Sequence, residues 1–198
     1  MQLVIDWDGT VTVRDTLLMV VERFGDPTLE PVFDAALEQG RMTHRQVMEA
    51  EFAEVSATLD EAIAYVVAHA EIRPGFAEFA ARFDPLILSS SFHETIEPVL
   101  AREKVSARVK ANRVDVRPDG WGIRWESDSE CATCGEPCKR ASLPDGDVVY
   151  VGDGYSDRCA ALAADRVFAR AGLARYLEEQ GVAFEPFETF FDVAAALT

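Results

Sequence analysis

The chain has 198 residues and a mass of 21.8 kDa, a size that suits one domain or a core domain with a small insertion. Its composition, 48% hydrophobic and 27% charged, excludes a mainly disordered chain and a disulfide-held miniprotein. The 35 acidic residues outnumber the 19 basic ones, and the net charge of −16 repels nucleic acid and anionic membranes. We therefore predict no nucleic-acid partner and no membrane partner.

The chain begins with a short apolar run, Leu3 to Asp6, with no basic segment before it, so we expect a strand there and not a signal peptide. The other apolar runs are far shorter than the ~20 residues of a membrane span. We expect a soluble, cytoplasmic protein that is a monomer or a homodimer.

Four short apolar runs end in polar or glycine-containing turns, or lie between helical segments, as buried strands do. They are Leu3 to Asp6, Pro85 to Leu88, Asp147 to Val151 and Arg166 to Ala169. Helical spacing fills the later intervals, at Glu94 to Lys104, Ser156 to Ala164 and Leu173 to Gln180, with Gly181 as a helix stop. Strands that alternate with helices predict an α/β fold with a parallel sheet.

The interval between the first two strands is too long for one crossover, which needs only about a dozen residues. Its helical segments are Asp15 to Phe24, Thr28 to Gln39, Thr43 to Ser56 and Leu59 to Ala70. We interpret residues 14–73 as an inserted helical cap and residues 1–13 with 74–198 as the core. The hinges are expected at Val11 to Arg14 and at Glu71 to Gly75.

A second deviation from the strand and helix alternation spans Arg108 to Glu126. Apolar residues alternate there on both sides of Pro118-Asp119-Gly120. This pattern predicts a β-hairpin.

Polar side chains follow the predicted strands at their carboxyl ends, where ligands bind in open α/β sheets. They are Asp6 and Asp8, then Ser89, then Asp153 with Asp157. Four carboxylates that meet at one point cannot all stay ionised without a cation. Mg²⁺ is the commonest ion that binds one or two carboxylates and leaves its other positions to water and phosphate oxygens. The sequence therefore predicts a divalent cation, with Mg²⁺ as the first candidate.

The same residues resemble the motifs of the haloacid dehalogenase superfamily of phosphatases. Asp6 to Thr12 is similar to the first motif, Ser89 to the second, Lys139 to the third, and Gly152 to Asp157 to the fourth. Their order and spacing agree along the whole chain, which is more specific than one Asp-x-Asp-Gly-Thr run. The resemblance implies a Rossmann-like (HAD-like) parallel sheet core with a small helical cap.

The resemblance also implies a Mg²⁺-dependent phosphatase in which Asp6 attacks phosphorus and forms an aspartyl phosphate. Asp8 is then the general acid and, in the second step, the general base. The implied metal ligands are Asp6, the Asp8 carbonyl and Asp153, with Asp157 supporting them.

On the same resemblance, Ser89, the backbone N–H of Ser90 and Lys139 bind the phosphoryl oxygens of a small phosphorylated metabolite. The C-terminal half is similar to a branch of the superfamily that acts in methionine salvage on 2-hydroxy-3-keto-5-methylthiopentenyl 1-phosphate. The similar segments are Cys134-Gly135, Cys138-Lys139, Val167 to Arg170 and Pro186 to Val193. That enol phosphate is therefore the expected substrate.

Phosphoserine is the alternative substrate, because phosphoserine phosphatases share a helical cap in the same place. Enzymes of that kind hold the substrate ammonium with a cap glutamate and its carboxylate with a cap arginine. By spacing, Asp15 stands near the first position but Glu51 near the second, which disfavours a carboxylate. Arg41 or Arg45 would compensate if the alignment shifts by one helical turn.

Three cysteines, Cys131, Cys134 and Cys138, lie within eight residues, and in a cytoplasmic chain they indicate reduced thiols or metal ligands before disulfides. A structural Zn²⁺ needs a fourth ligand, either Cys159 or His93. The second Cys-x-x-Cys pair of a zinc ribbon is missing, so zinc, reduced thiols and an opportunistic disulfide all stay open. A zinc-stabilised binding protein on an inactive phosphatase scaffold is the non-enzyme alternative.

Overall fold

A seven-stranded sheet forms the centre of the computed structural model, which describes residues 1–198. The strands are β1 (Gln2–Ile5), β2 (Leu86–Phe92), β3 (Arg108–Arg117), β4 (Gly120–Arg124), β5 (Val148–Gly152), β6 (Arg166–Ala169) and β7 (Glu185–Pro186). They lie in the order β4-β3-β2-β1-β5-β6-β7, and every neighbouring pair is parallel except β3 with β4. The predicted α/β class is confirmed.

Nine α-helices accompany the sheet. They are α1 (Thr16–Phe24), α2 (Glu30–Glu38), α3 (His44–Ala53), α4 (Leu59–His69), α5 (Phe76–Phe83), α6 (His93–Arg102), α7 (Arg158–Ala161), α8 (Ala171–Gln180) and α9 (Phe190–Ala196). Gly181 ends α8 with a φ of 67°, as expected for a glycine stop. None of these helices has the length and apolar character needed to cross a bilayer.

β1 lies where the order of strands across the sheet reverses, with β2 and β3 on one side and β5 and β6 on the other. Residues Gln2 to Ile5 are in register with Val148 to Val151 of β5, and the Asp6 N–H donates to the Val151 carbonyl at 2.9 Å. Ligands bind at the carboxyl ends of strands beside such a reversal. The loops after β1 and β5 therefore meet at the place where a site is expected.

β2 is longer than predicted, because the segment Ser89 to Ser91 belongs to the strand and not to the loop after it. Pairing with β3 continues past a register shift to Phe92, which is opposite Asn112. Ser89 and Ser91 are buried. The three serines were predicted as a loop because their composition is typical of turns, whereas the neighbouring strand keeps them extended.

The predicted helix at Ser156 to Ala164 is also shorter. A 3₁₀ turn at Tyr155–Asp157 precedes α7, which has only four residues. The Asp157 carboxylate accepts the N–H groups of Asp153 and Gly154, both at 2.9 Å, and so tightens the chain before the helix begins.

The predicted hairpin is present as β3 and β4, and the first half of β3 joins it to the main sheet. The hairpin packs against α3: the Phe52 ring lies 6.1 Å from Trp121 and 4.9 Å from Phe92. Gly120 has a φ of 140°, and a Cβ there would lie 1.9 Å from the Ala53 carbonyl oxygen. Glycine is required at this position by both the backbone conformation and the close approach of α3.

Helices α1–α4 are joined to the sheet by two adjacent segments. The Val13 N–H donates to the Glu71 carbonyl at 2.9 Å, and the Arg73 N–H donates to the Val11 carbonyl at 2.8 Å. Phe52 and Met48 of α3 belong to the same hydrophobic cluster as Ile5 of β1 and Ile87 of β2. The segment that leads into α1 and the segment that returns from α4 are thus hydrogen-bonded to each other.

Candidate active site

A buried lysine joins two carboxylates at the carboxyl ends of β1 and β5. Lys139 Nζ donates to Asp6 Oδ1 and, at 2.7 Å, to Asp157 Oδ1. The side chains of Lys139, Asp6 and Asp157 are 4%, 5% and 0% exposed. Burial alone lowers the pKa of a lysine, but the charges of Asp157 and Asp6 outweigh it and raise the pKa of Lys139. The lysine is therefore held in its charged form.

The predicted metal-site residue Asp157 already accepts four hydrogen bonds. Besides Lys139, its Oδ1 accepts from the Tyr150 hydroxyl at 2.7 Å, and its Oδ2 accepts two backbone N–H groups. Each oxygen thus has two donors, which is its ordinary capacity. The arrangement suits a residue that holds Lys139 and the Asp153 loop. Tyr150 was not found from the sequence, although one tyrosine within a valine-rich strand was a visible signal.

Asp153 reaches the loop that follows β1. Its Oδ1 accepts from the Thr10 hydroxyl at 3.0 Å. A Cβ on Gly9 would lie 2.2 Å from Asp153 Oδ2, and Gly9 has a φ of 72°. Glycine is needed in the Asp-Gly-Thr run because any side chain there would push Asp153 away.

Ligand oxygens of Asp6, Asp153 and Asp157 lie within 4.8 Å of one another. Lys139 is the only cationic side chain hydrogen-bonded to these three carboxylates, and the four side chains together carry a charge of −2 when all are ionised. Burial, with the charge of Asp157, raises the pKa of Asp6 well above its usual range, and raises that of Asp153 to about 6. An excess of buried negative charge and oxygen donors fits Mg²⁺.

Asp8 points toward the first helix. Its Oδ1 accepts from the backbone N–H of Thr16, at 2.6 Å, and from the Thr16 hydroxyl. Burial, followed by the charge of Asp15, raises the pKa of Asp8 to about 8 even though the Thr16 donors oppose the shift. A carboxyl group with this pKa holds a proton at neutral pH and is able to donate it.

Ser89, Ser90 and Lys139 line one cavity of about 250 Å³. His44 of α3 lines it too, and burial together with the charge of Lys139 lowers the pKa of His44 to about 4. The Ser90 carbonyl accepts from Asn112 Nδ2 at 2.6 Å, which holds the end of β2 against β3. The predicted phosphate-binding residues therefore line the same cavity.

The predicted carboxylates do not line this cavity themselves. Asp6 lies behind Lys139, whose Nζ contacts it, while Lys139 also lines the cavity. Lys139 is thus the residue that links the carboxylates to the residues predicted to bind phosphate.

Arg73 is a buried residue that the sequence analysis did not identify as part of the site. Its guanidinium donates to the carbonyls of Thr10 (2.7 Å), Gly9 (2.6 Å) and Thr12 (3.2 Å). It therefore fixes the loop after β1 from the segment by which the chain returns from α4. The only signal in the sequence was an arginine directly before Pro74-Gly75.

Glu51 of α3 lies in an acidic part of the helical insertion. Burial, then the charges of Asp34, Asp15 and Glu30, raise its pKa to about 7. A carboxylate of a substrate would be repelled there. Glu51 does not line the cavity that holds Ser89, Ser90 and Lys139, so the sequence argument against phosphoserine stays a prediction.

Neither arginine that was considered as a compensating group is free. Arg41 Nε donates to Gln39 Oε1 at 2.8 Å. Arg45 donates to Asp128 at 2.9 Å and to the Ser127 carbonyl, and it lies 4.3 Å from the Trp125 ring centroid. Both guanidinium groups have partners within the protein, but Arg45 also lines the cavity that holds Ser89, Ser90 and Lys139.

We expect the Glu51→Gln variant to be more stable than the wild type at pH 8 and equally stable near pH 4. The folded-state pKa of Glu51 lies above its unfolded value of 4.5, so the folded state loses stability as pH rises from about 4.5 to about 7. After allowance for partial exposure, the gain in unfolding free energy at pH 8 is about 1–2 kcal/mol. Urea unfolding of both proteins across this pH range measures it. Glu54→Gln, at an exposed position at the end of the same helix, is the control and should show no pH-dependent gain.

A parallel α/β sheet with carboxylates at two strand ends, a lysine between them and helices inserted after β1 is the arrangement of a hydrolase superfamily. The chain belongs to the haloacid dehalogenase-like hydrolases, whose family model matches residues 3–162. The predicted family is confirmed.

Curated relatives match nearly the whole chain. A 2-hydroxy-3-keto-5-methylthiopentenyl-1-phosphate phosphatase of Bacillus cereus (strain B4264) is 31% identical over 99% of this chain and 95% of its own. A protein of the same name from Exiguobacterium sibiricum is 28% identical over 97% of this chain and 94% of its own.

Solved structures of phosphoserine phosphatases share the fold. A phospho-aspartyl intermediate analogue of one such enzyme has a TM-score of 0.74 and 13% identity, and covers 98% of this chain and 97% of its own. The enzyme from T. onnurineus has a TM-score of 0.70 and 19% identity, and covers 97% of this chain and 91% of its own.

Proposed function

We propose that this protein is a Mg²⁺-dependent phosphomonoesterase that works through a phosphorylated Asp6. The observation that carries the proposal is the Lys139 bridge, which joins a buried carboxylate at the end of β1 to the wall that holds Ser89 and Ser90. Asp6 Oδ1 is held by Lys139, and its Oδ2 has no hydrogen-bond donor from the protein. That oxygen is therefore the one available to attack phosphorus.

In the first step, an oxygen of Asp6 forms a bond to phosphorus while the ester bond to the leaving oxygen breaks. Asp8 gives its proton to that leaving oxygen. In the second step, Asp8 takes a proton from water, which attacks phosphorus, releases inorganic phosphate and restores the Asp6 carboxylate. Asp8, two residues after the nucleophile, thus serves as the acid in the first step and as the base in the second.

The remaining residues bind and orient the phosphoryl group. Ser89, the N–H of Ser90 and Lys139 donate hydrogen bonds to its oxygens. Asp6, the Asp8 carbonyl and Asp153 are the metal ligands, and Asp157 orients Asp153 and Lys139. Bound Mg²⁺ supplies positive charge that reduces repulsion between the carboxylates and the phosphate.

We further propose that residues 14–73 act as a cap over this site. Asp8 is hydrogen-bonded to Thr16, the first residue of α1, so movement of α1–α4 alters the surroundings of the general acid. A cap attached directly after the nucleophile strand admits a small metabolite and excludes bulk water.

The best candidate substrate is 2-hydroxy-3-keto-5-methylthiopentenyl 1-phosphate. The full-length similarity to phosphatases of that name supports it. Phosphoserine, suggested by the fold of the structural neighbours, is the second candidate.

Phosphate release tests the proposal. With a generic aryl phosphate, we expect activity that is lost on chelation and restored by Mg²⁺. Among metabolites, we expect the methionine-salvage enol phosphate to exceed phosphoserine in kcat/KM by at least about tenfold, equivalent to ~1.4 kcal/mol. Preference for phosphoserine would overturn the substrate assignment. Complete absence of Mg²⁺-dependent release would leave the zinc-stabilised binding protein as the better account.

A further inference from the structure

All four cysteines of the chain converge beside the candidate active site. They are Cys131, Cys134, Cys138 and Cys159, and all are free thiols. Their sulfur atoms lie within 4.8 Å of one another. His93, the other ligand considered from the sequence, lies outside this group, and its Nδ1 is hydrogen-bonded to Glu97 at 2.8 Å.

The distances agree with a tetrahedral metal centre. Zn–S bonds of about 2.3 Å in a tetrahedron place the sulfur atoms about 3.8 Å apart. Four thiols within 4.8 Å therefore need only a small contraction to bind one ion. Two disulfides would instead need two sulfur pairs at about 2.05 Å, in a more specific geometry.

The loop around Cys131 directs a backbone N–H group at the sulfur atom. The Thr133 N–H donates to Cys131 Sγ at 3.4 Å, and the Gly135 N–H donates to the Cys131 carbonyl at 2.8 Å. Gly135 has a φ of 73°, and no atom lies within 4 Å of the position that a Cβ would occupy. Glycine is therefore favoured by the backbone conformation of the turn and not by close packing. A backbone N–H directed at sulfur stabilises the thiolate that a metal requires.

We infer that these four thiols bind one structural Zn²⁺ ion, with Cys159 as the fourth ligand. The site ties the 131–138 loop to α7, which contains Cys159. Cys138 directly precedes Lys139, and Cys159 lies two residues after Asp157. The zinc therefore fixes both ends of the Lys139–Asp157 ion pair, at 2.7 Å, from outside the carboxylate group.

Zinc content and X-ray absorption of the purified full-length protein test this inference without any substrate. We expect about one zinc ion per chain and a first shell of four sulfur atoms at about 2.3 Å. The sulfur shell distinguishes this site from zinc bound to Asp6 and Asp153, which would give an oxygen shell. Removal of zinc should speed amide exchange in residues 131–142 but not in β7 and α9.

Variants identify the fourth ligand. Cys159→Ser should reduce zinc content or replace one sulfur by oxygen in the first shell, while His93→Ala and Ser129→Ala should keep the four-sulfur shell. A first shell without sulfur, or fully reduced protein without zinc after growth in zinc, would overturn the inference. An intact mass lower than that of the reduced chain by two hydrogens for each pair of cysteines would show disulfides, and this result would also overturn the inference. Because none of these measurements uses phosphatase activity, failure of the proposed function would leave their outcome intact.

Discussion

The Asp6→Asn variant should be folded but should release phosphate at least about a thousandfold more slowly than the wild type. Asparagine keeps the oxygen that accepts from Lys139 but lacks the nucleophilic carboxylate. Asp8 does not replace the nucleophile, because its proposed role is that of general acid and base. Phosphate release from an aryl phosphate under saturating Mg²⁺ measures the effect.

The stability of this variant separates loss of chemistry from loss of structure. Burial and the charges of Asp157 and Asp153 all raise the pKa of Asp6, so its ionised form is unfavourable in the folded protein without metal. In metal-free buffer we expect Asp6→Asn to melt at or above the wild-type temperature, and we expect Mg²⁺ to stabilise it less than it stabilises the wild type. Asp145→Asn, at an exposed position, should change neither property. Retained activity in Asp6→Asn would refute its role as nucleophile.

The carboxylates of the site could be predicted because strand ends have a local signal. Apolar runs that stop at Asp6 and before Asp153 place both residues at the carboxyl edge of a parallel sheet, and the sheet order then brings them together. The same reasoning predicted the parallel sheet and the helices between its strands.

The hydrogen-bond partners could not be predicted in this way. Arg73 reaches the loop after β1 from more than 60 positions along the chain, and Tyr150 meets Asp157 only because of the 3₁₀ turn between them. Ser89 to Ser91 were placed in a loop because pairing with β3, which keeps them extended, is a long-range contact. Such contacts depend on register and side-chain direction, which local composition does not specify.

The net charge of −16 makes the position of Lys139 unusual. The protein has only three lysines, and the other two, Lys104 and Lys110, are exposed. A protein with this charge repels a phosphate dianion at long range, so binding depends on local positive charge. In the proposed mechanism Lys139 and a bound Mg²⁺ would supply that charge, and the same lysine contacts two buried carboxylates.

We therefore expect Lys139→Met to lower both activity and stability. Removing one partner of a buried ion pair leaves uncompensated charge, and the unfolding free energy should fall by about 3–5 kcal/mol at pH 8. The deficit should shrink as pH falls toward 5, because protons then neutralise Asp6, whose pKa rises further without the lysine. Urea unfolding at both pH values measures it, and Lys110→Met, at an exposed position, should change the unfolding free energy by about 0.5 kcal/mol or less.

A double variant shows whether charge or packing is responsible. In Lys139→Met/Asp6→Asn the remaining carboxylate, Asp157, still has the Tyr150 hydroxyl and two backbone N–H donors. If unpaired charge causes the deficit, the second change should restore at least about half of the lost unfolding free energy, a coupling of ~1.5 kcal/mol or more. Activity should stay absent, because the nucleophile is gone. Additive losses in the double variant would instead show that the lysine stabilises the site by packing, and would contradict its assignment as the charge that holds the two carboxylates together.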